Sequence, residues 1–362
     1  MAGGALLDRL RTSGRALFSG LSGVFSKCPS PLALTSGALA TGFIGLIAWL
    51  ALSGAPPPEP APPAPPVARG RALVKIVPLH QAPAEPAAPM ALHDPALVED
   101  SPAGPLPVIA PDGRMAWRVY AAAAPKDADS ARIALVVTGL ALDGAVTRRA
   151  IDELPAAVSL ALSPYGDELQ HWADEARRAG HEVLLQLPSE PVSYPTNDPG
   201  PHTLMTQASA QDNIAKLTWV LARFTGYVGL INHMGSKFTA SGKAMRPILE
   251  ALKARGLLFV DSHASRFSVA GDLAEMIGLP FVLNNLYLDN KPARAEIDRR
   301  LEELAKIARS SGVAVGLARA YPSSIERIAA WSQGLAARGL VLAPVTAVAR
   351  NASQPQNGPH HP

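Results

Sequence analysis

The sequence predicts an α/β fold with a parallel sheet, wrapped into an irregular barrel of seven or eight strand–helix units. Three observations predict it. Short apolar runs alternate with longer amphipathic stretches from about Arg114 to Ala349, and strands apolar throughout are those buried on both faces by crossover helices. The helical stretches close on Gly180, Gly226, Gly256, Gly278, Gly312 and Gly339, the residue that best accepts the left-handed turn after a helix. Seven or eight such units fit a barrel, complete or incomplete, better than an open sheet.

The strands are expected at 133–137, 158–162, 182–187, 228–231, 257–260, 281–283, 314–317 and 340–343. Between them, helical periods run over 144–154, 168–179, 210–224, 242–254, 270–277, 293–310 and 323–337. No internal repeat exceeds this alternation.

The flanks read differently. Residues 32–52 carry no charge and are long enough to cross a hydrocarbon core as one helix. Arg9, Arg11, Arg15 and Lys27 precede that run against Asp8 alone, so the positive-inside bias keeps the N-terminus cytoplasmic and exports the rest. This gives a single-pass inner-membrane protein with a periplasmic or otherwise extracytoplasmic domain. The small residues Ser53-Gly54-Ala55 offer a cleavage site, but the lead of residues 1–31 is long for a signal peptide, which favours an uncleaved anchor. Residues 55–113 read as a Pro/Ala-rich disordered linker, since 17 of the 35 prolines lie between Ala55 and Pro111 and proline removes backbone donors. The globular domain is expected over 114–349 and a polar, disordered tail over 350–362.

Composition narrows the function. Net charge is +3 with the basic residues scattered, which excludes the basic stripe of a nucleic-acid binder. The single Cys28 excludes an internal disulfide and a cysteine metal cluster. The densest polar chemistry is Asn232-His233-Met234-Gly235-Ser236, directly after the apolar run Tyr227 to Ile231. Polar side chains at the carboxyl end of a buried strand need partners, and that end is where α/β folds hold ligands.

This segment resembles the Asn-His-Met-Gly-Ser signature of the divergent polysaccharide deacetylases, relatives of the metal-dependent carbohydrate esterases. Further motifs are similar in order. Met115 to Ala121 resembles the N-terminal strand region, Ala179 to Leu185 the approach to the third strand, and Pro188-Ser189-Glu190-Pro191 the segment after it. Asp198 to Leu204 resembles the next loop, and Asp261-Ser262 and Leu288-Asp289-Asn290 match as well. The resemblance implies an irregular (β/α)7-type barrel and a hydrolase of envelope polysaccharide. It also implies an Asp-Asp pair after the first strand, a His on the third, the His of the Asn-His-Met-Gly-Ser loop and a Gly-His-Pro after a late strand.

Here Thr138 and Gly139 stand at the acidic pair, Gln186 at the third-strand His and Arg319 at the late His. Threonine and glutamine are neutral donors and arginine stays cationic, so no metal and no other cofactor is expected. The resemblance leaves His233 and Asp261 as catalytic candidates and Glu190, Asn232, Ser236, Ser262 and Asp289 as substrate-binding ones. Each has a plainer reading: His233 capping the strand end, Asp261 capping through Ser262, Glu190 and Asp289 fixing loops. His263 near Asp261 would allow a relocated metal site with His233. Two main readings stand. One is a degenerate domain that keeps a cleft for an envelope glycan, a peptidoglycan-like polymer or an envelope protein. The other is an active deacetylase needing zinc or another divalent ion. A third, weaker reading is a membrane-linked spacer whose domain only mediates assembly.

Overall fold

Apolar runs become strands where helices can cover them on both sides, and this ordering organises the whole domain. The computed structural model describes residues 92–125 and 130–350. A hairpin of β1 (Val98–Ser101) and β2 (Gly104–Pro107) comes first. The main sheet follows as β3 (Ala131–Leu140), β4 (Ser159–Leu162), β5 (Val183–Ser189), β6 (Gly229–Met234), β7 (Leu258–Asp261), β8 (Phe281–Leu283), β9 (Leu286–Tyr287), β10 (Val313–Arg319) and β11 (Leu340–Leu342). The covering helices are α1 (Gly144–Glu153), α2 (Leu169–Arg178), α3 (Ala210–Leu221), α4 (Gly242–Ala254), α5 (Ala270–Ile277), α6 (Arg294–Ser311) and α7 (Pro322–Ser332).

The sheet order is β8-β7-β6-β5-β4-β3-β10-β9, with all these pairs parallel and β11 beside the start of β3. Its centre is fully buried on both faces: Leu160, Leu184, Leu230 and Phe259 have no exposed surface. The expected barrel ring is incomplete, and the sheet is a half-barrel. No ladder joins β8 to β9; the chain passes between these two edges through Asn284 and Asn285 alone. Strands this short offer few ladder bonds, and β8 instead exchanges backbone hydrogen bonds with Arg350.

The N-terminal boundary differs from the sequence expectation. Within the stretch read as a linker, residues 92–113 are ordered around Leu97, Leu106 and Ala110, all buried. Asp94 caps the short 3₁₀ turn Pro95–Leu97 and pairs with Arg114, while Arg255 reaches Glu99 at 2.8 Å and the Pro107 carbonyl at 2.8 Å. Proline enrichment hid this because the prolines occupy a helix start and a two-stranded edge, where no ladder donor is lost. The segment 115–121, which resembles the family's N-terminal strand region, contains one helical turn, Ala116–Val119. Among the described residues no helix is long and apolar enough to cross a membrane. The apolar run 32–52, the lead before it, Cys28, linker residues 55–91 and tail residues 351–362 lie outside the described residues.

Two buried carboxylates tie loops to this frame. Glu182, just before β5, accepts hydrogen bonds from Ala122 N (3.0 Å), Thr346 N (3.1 Å) and the Thr346 hydroxyl, joining both ends of the domain to the amino-terminal side of the sheet. Burial raises its pKa against those donors. Glu190, just after β5, works at the carboxyl end. Its carboxylate accepts from Thr206 N and Thr206 Oγ1, both at 2.7 Å, and pairs with Lys237 Nζ at 2.6 Å. Its backbone carbonyl also receives Lys237 N and Phe238 N. Three loops are thereby held in fixed relation.

Two outcomes follow from this packing. A Cβ at Gly229 would lie 2.1 Å from the Leu258 carbonyl oxygen of the neighbouring strand. Gly229→Ala should therefore lower unfolding stability by about 1–3 kcal/mol or more, measured by urea denaturation; an unchanged midpoint would refute the close β6–β7 approach. Burial alone would raise the Glu190 pKa, but Lys237 and the Thr206 donors outweigh it and hold the carboxyl below its ordinary value. A depressed carboxyl stabilises above its unfolded pKa and loses that contribution as pH falls through the folded value. Glu190→Gln should cost about 1–3 kcal/mol at neutral pH, with the gap to the wild type closing in acid; a pH-independent gap would contradict the charge-based latch.

Candidate functional site

The carboxyl ends of β3, β4, β5 and β6 surround a cavity of about 140 Å³, lined by Gly139, Leu142, Ser163, Pro164, Tyr165, Gln186, Pro188, Pro199 and His233. Its floor is set by a bulge. Thr138 pairs Ala161 and Leu140 pairs Leu162, so Gly139 is skipped in the β3–β4 register. Gly139 takes φ +83°, and a Cβ built there meets nothing within 4 Å. The conformation favours glycine, and the missing side chain leaves open space beside the cavity.

The released Gly139 N–H donates to Gln186 Oε1 at 2.9 Å, and Gln186 Nε2 lies 3.3 Å from His233 Nδ1. These bonds fix the chemistry in sequence. Oε1 must meet the Gly139 donor, so the amide nitrogen faces Nδ1. Nδ1 then accepts, and a neutral ring carries its proton on Nε2. Nε2 has no hydrogen bond to a described residue. Burial first, and the Arg319 guanidinium second, push the imidazole's pKa down, so the ring is neutral at pH 7.

Arg319 ends β10 in register with Thr138, whose hydroxyl donates to the Ala318 carbonyl at 3.2 Å. The Arg319 backbone N–H donates to Asp289 Oδ2 at 2.5 Å, and Ser324 Oγ donates to the same oxygen at 2.8 Å. The guanidinium itself approaches Asp289 only loosely, Nη1 to Oδ1 at 3.5 Å, and is half-exposed while Asp289 is fully buried. Burial raises the Asp289 pKa against these partners.

The other sequence candidates belong to the frame. Asn232 Oδ1 accepts Ser262 N at 2.8 Å, and its Nδ2 donates to Ser262 Oγ at 2.8 Å and Met234 O at 2.7 Å, stitching β6 to β7. Asp261, expected as catalytic, is buried and away from the cavity wall; its two oxygens accept His263 N (2.8 Å) and Ser268 Oγ (2.6 Å). Ser236 Oγ accepts Val192 N at 3.0 Å. His263 is exposed on the loop after β7. Among the described residues, no group of three or more His, Cys, Asp or Glu side chains is placed to hold a metal ion. The structure therefore brings together His233, Gln186 and Gly139, places Arg319 on the adjoining strand in register with Thr138, and leaves Asp261, Asn232, Ser262 and Asp289 as braces.

Sequence reasoning missed the apolar wall. Tyr165 lines the cavity and accepts His202 N at 3.0 Å through its hydroxyl. His202 stacks on Trp219 with ring centroids 3.4 Å apart, which seats the Pro199 loop over the pocket. A Cβ on Gly200 would strike the Tyr165 ring at 2.6 Å. The signal was available in Ser163-Pro164-Tyr165-Gly166, which directly follows a strand end.

Residues 135–349 match the family described as divergent polysaccharide deacetylase. An uncharacterized protein of Agrobacterium tumefaciens C58, known from a crystal structure, is 39% identical with a TM-score of 0.66; the match covers 68% of this chain and 99% of that one. An uncharacterized protein of Haemophilus influenzae is 29% identical over 177 residues, 49% of this chain and 62% of its own length. The uncharacterized protein YibQ of Escherichia coli is 27% identical over 173 residues, 48% of this chain and 53% of its own. The chain thus spans less than two thirds of the curated relatives it matches. Matched over more than half its length, and folded as a parallel α/β half-barrel, the chain belongs to the divergent polysaccharide deacetylase family.

Proposed function

We propose that this protein is a membrane-anchored, exported member of the family that binds an envelope glycan in a retained cleft and no longer holds a metal. The observation that carries the reading is the Gly139–Gln186–His233 hydrogen-bond chain with Arg319 beside it. A zinc-type ion takes carboxylate oxygens, thiolates and imidazole lone pairs. At the four positions in question stand a hydroxyl, a bare backbone, an amide and a cation, and the His233 nitrogen left free carries a proton. This donor set does not suit a divalent ion, and the reading routes no chemical step through one. Glycan binding draws support from the loops at the strand carboxyl ends. Tyr194 and Tyr321, each 38% exposed, stand with Leu142, Val192 and Phe267 around that end of the sheet, and such faces suit the apolar sides of sugar rings. Anchoring draws support from the uncharged run 32–52 and its basic lead.

The test is binding of N-acetylated oligosaccharides to the purified full chain by calorimetry, alongside zinc analysis after dialysis. The expected result is saccharide binding without retained zinc, weakened about tenfold by His233→Ala through loss of one hydrogen bond and its packing. Stoichiometric zinc with deacetylase activity, both lost in His233→Ala, would overturn this reading in favour of an active metal-dependent deacetylase.

A further inference from the structure

The pocket offers hydrogen-bond donors but few free acceptors, and Arg319, which does not line it, brings positive charge at the end of the neighbouring strand β10, in register with Thr138. Gln186 Oε1 is occupied by Gly139 N–H, and His233 Nδ1 faces the Gln186 amide nitrogen, so the imidazole presents only Nε2–H. The Thr138 hydroxyl donates to Ala318 O. The Arg319 side chain is 49% exposed; its Nη1 meets the Asp289 side-chain and backbone oxygens at 3.5 Å, both long contacts, and its guanidinium lies 6.0 Å from the centroid of the Tyr321 ring. Nε and Nη2 hold no hydrogen bond to a described residue. Among the described residues the carboxylate in contact with this cation is Asp289, which has no exposed surface and spends its Oδ2 on Arg319 N and Ser324 Oγ. A divalent cation would be repelled from this arrangement, whereas an anion would find a planar fork of N–H groups beside a neutral ring donor.

We propose that the pocket binds an acidic sugar, with the sugar's carboxylate held between the Arg319 guanidinium and His233 Nε2–H. The inference rests on the glycan reading above and specifies its substrate class. The cavity of about 140 Å³ is well below the size of sites that enclose drug-sized ligands, so it takes one ring or its acidic substituent, with the rest of a chain lying across the exposed rim. The open space beside Gly139, where a Cβ meets nothing within 4 Å, gives the carboxylate room next to the strand that carries Arg319. The depressed pKa of His233, caused by burial and by Arg319, keeps the ring from adding a second positive charge at neutral pH. The site therefore reads a single negative group through geometry and one permanently charged cation.

The experiment compares three kinds of probe on the purified full chain by calorimetry. They are neutral diacetylchitobiose, two acidic saccharides (a muramic-acid disaccharide and a hyaluronan tetrasaccharide), and the carboxamide of each acidic one. The two acidic probes distinguish a lactyl from a uronic carboxylate. At least one acid form should bind about tenfold or more tighter than its amide, as a charge-assisted bidentate contact requires, and added salt should shrink the difference. Arg319→Gln should abolish the preference of acid over amide, with circular dichroism reporting that the variant is folded, and Arg319→Lys should restore part of it. Equal binding of acid and amide by the wild type overturns the carboxylate assignment and leaves the glycan reading intact. Equal loss of neutral and acidic binding in Arg319→Gln, with unchanged circular dichroism, also overturns it. Failure of every saccharide to bind removes the glycan reading and this inference with it.

Discussion

The amide of Gln186 is the constraint around which the carboxyl end of the sheet is arranged. Lying on β5, it accepts from the bulged backbone of β3 through one atom and meets the imidazole of β6 through the other. An amide has one acceptor end and one donor end, so filling the first determines what the second can do. The result is a neutral chain of hydrogen bonds running across four strands of the sheet and ending in a single N–H. An imidazole at position 186 would leave the Gly139 donor facing a ring nitrogen, and a carboxylate at 139 would need a backbone that can carry a side chain there. The substitutions are thus mutually consistent: the glycine enables the bulge, the bulge frees the donor, and the glutamine receives it.

The polar residues that draw attention in the sequence divide into a frame and a face. Asn232, Ser262, Asp261 and Glu190 are buried with their hydrogen-bonding capacity largely spent on neighbouring backbone and side chains, and Asp289 is buried with Oδ2 bonded and Oδ1 without a hydrogen-bond partner among the described residues. Buried polar groups without partners would cost about 1–3 kcal/mol each, so the loops are held in place by satisfying them. The face presented to a ligand is smaller and more apolar: Tyr165, Leu142, three prolines and one histidine, with Arg319 on the adjoining strand. A small, largely apolar face of this kind recognises a ligand by shape and a few fixed donors.

Much of the fold could be read from the sequence because its strands are buried twice. Runs such as Val183 to Leu187 and Leu258 to Val260 contain no exposed face to dilute the apolar signal, and helix ends at Gly278 and Gly312 announce themselves through the left-handed turn. The β1–β2 hairpin was hidden because its few apolar residues are scattered among prolines and gain cover only from distant elements such as Ala222, packed beside Gly104. The two-residue β9 has no periodicity to detect. The replaced positions Thr138, Gly139, Gln186 and Arg319 stood out against the family pattern, but their pairing did not. Gln186 and Gly139 are 47 residues apart, and the order of protons on the imidazole depends on a contact that only the folded sheet creates. The same limit applies to Asp261, whose neighbours in sequence suggested chemistry while its hydrogen bonds serve the loop that follows.

The most direct test of this account is the protonation state of the His233 ring, read from ¹⁵N chemical shifts in the isotope-labelled full chain across pH and with added zinc. The account predicts a neutral ring at pH 7 with its proton on Nε2, titrating below the ordinary value near 6.5 and insensitive to stoichiometric zinc. A proton on Nδ1, or a zinc-induced shift of Nε2 at equimolar metal, would contradict it.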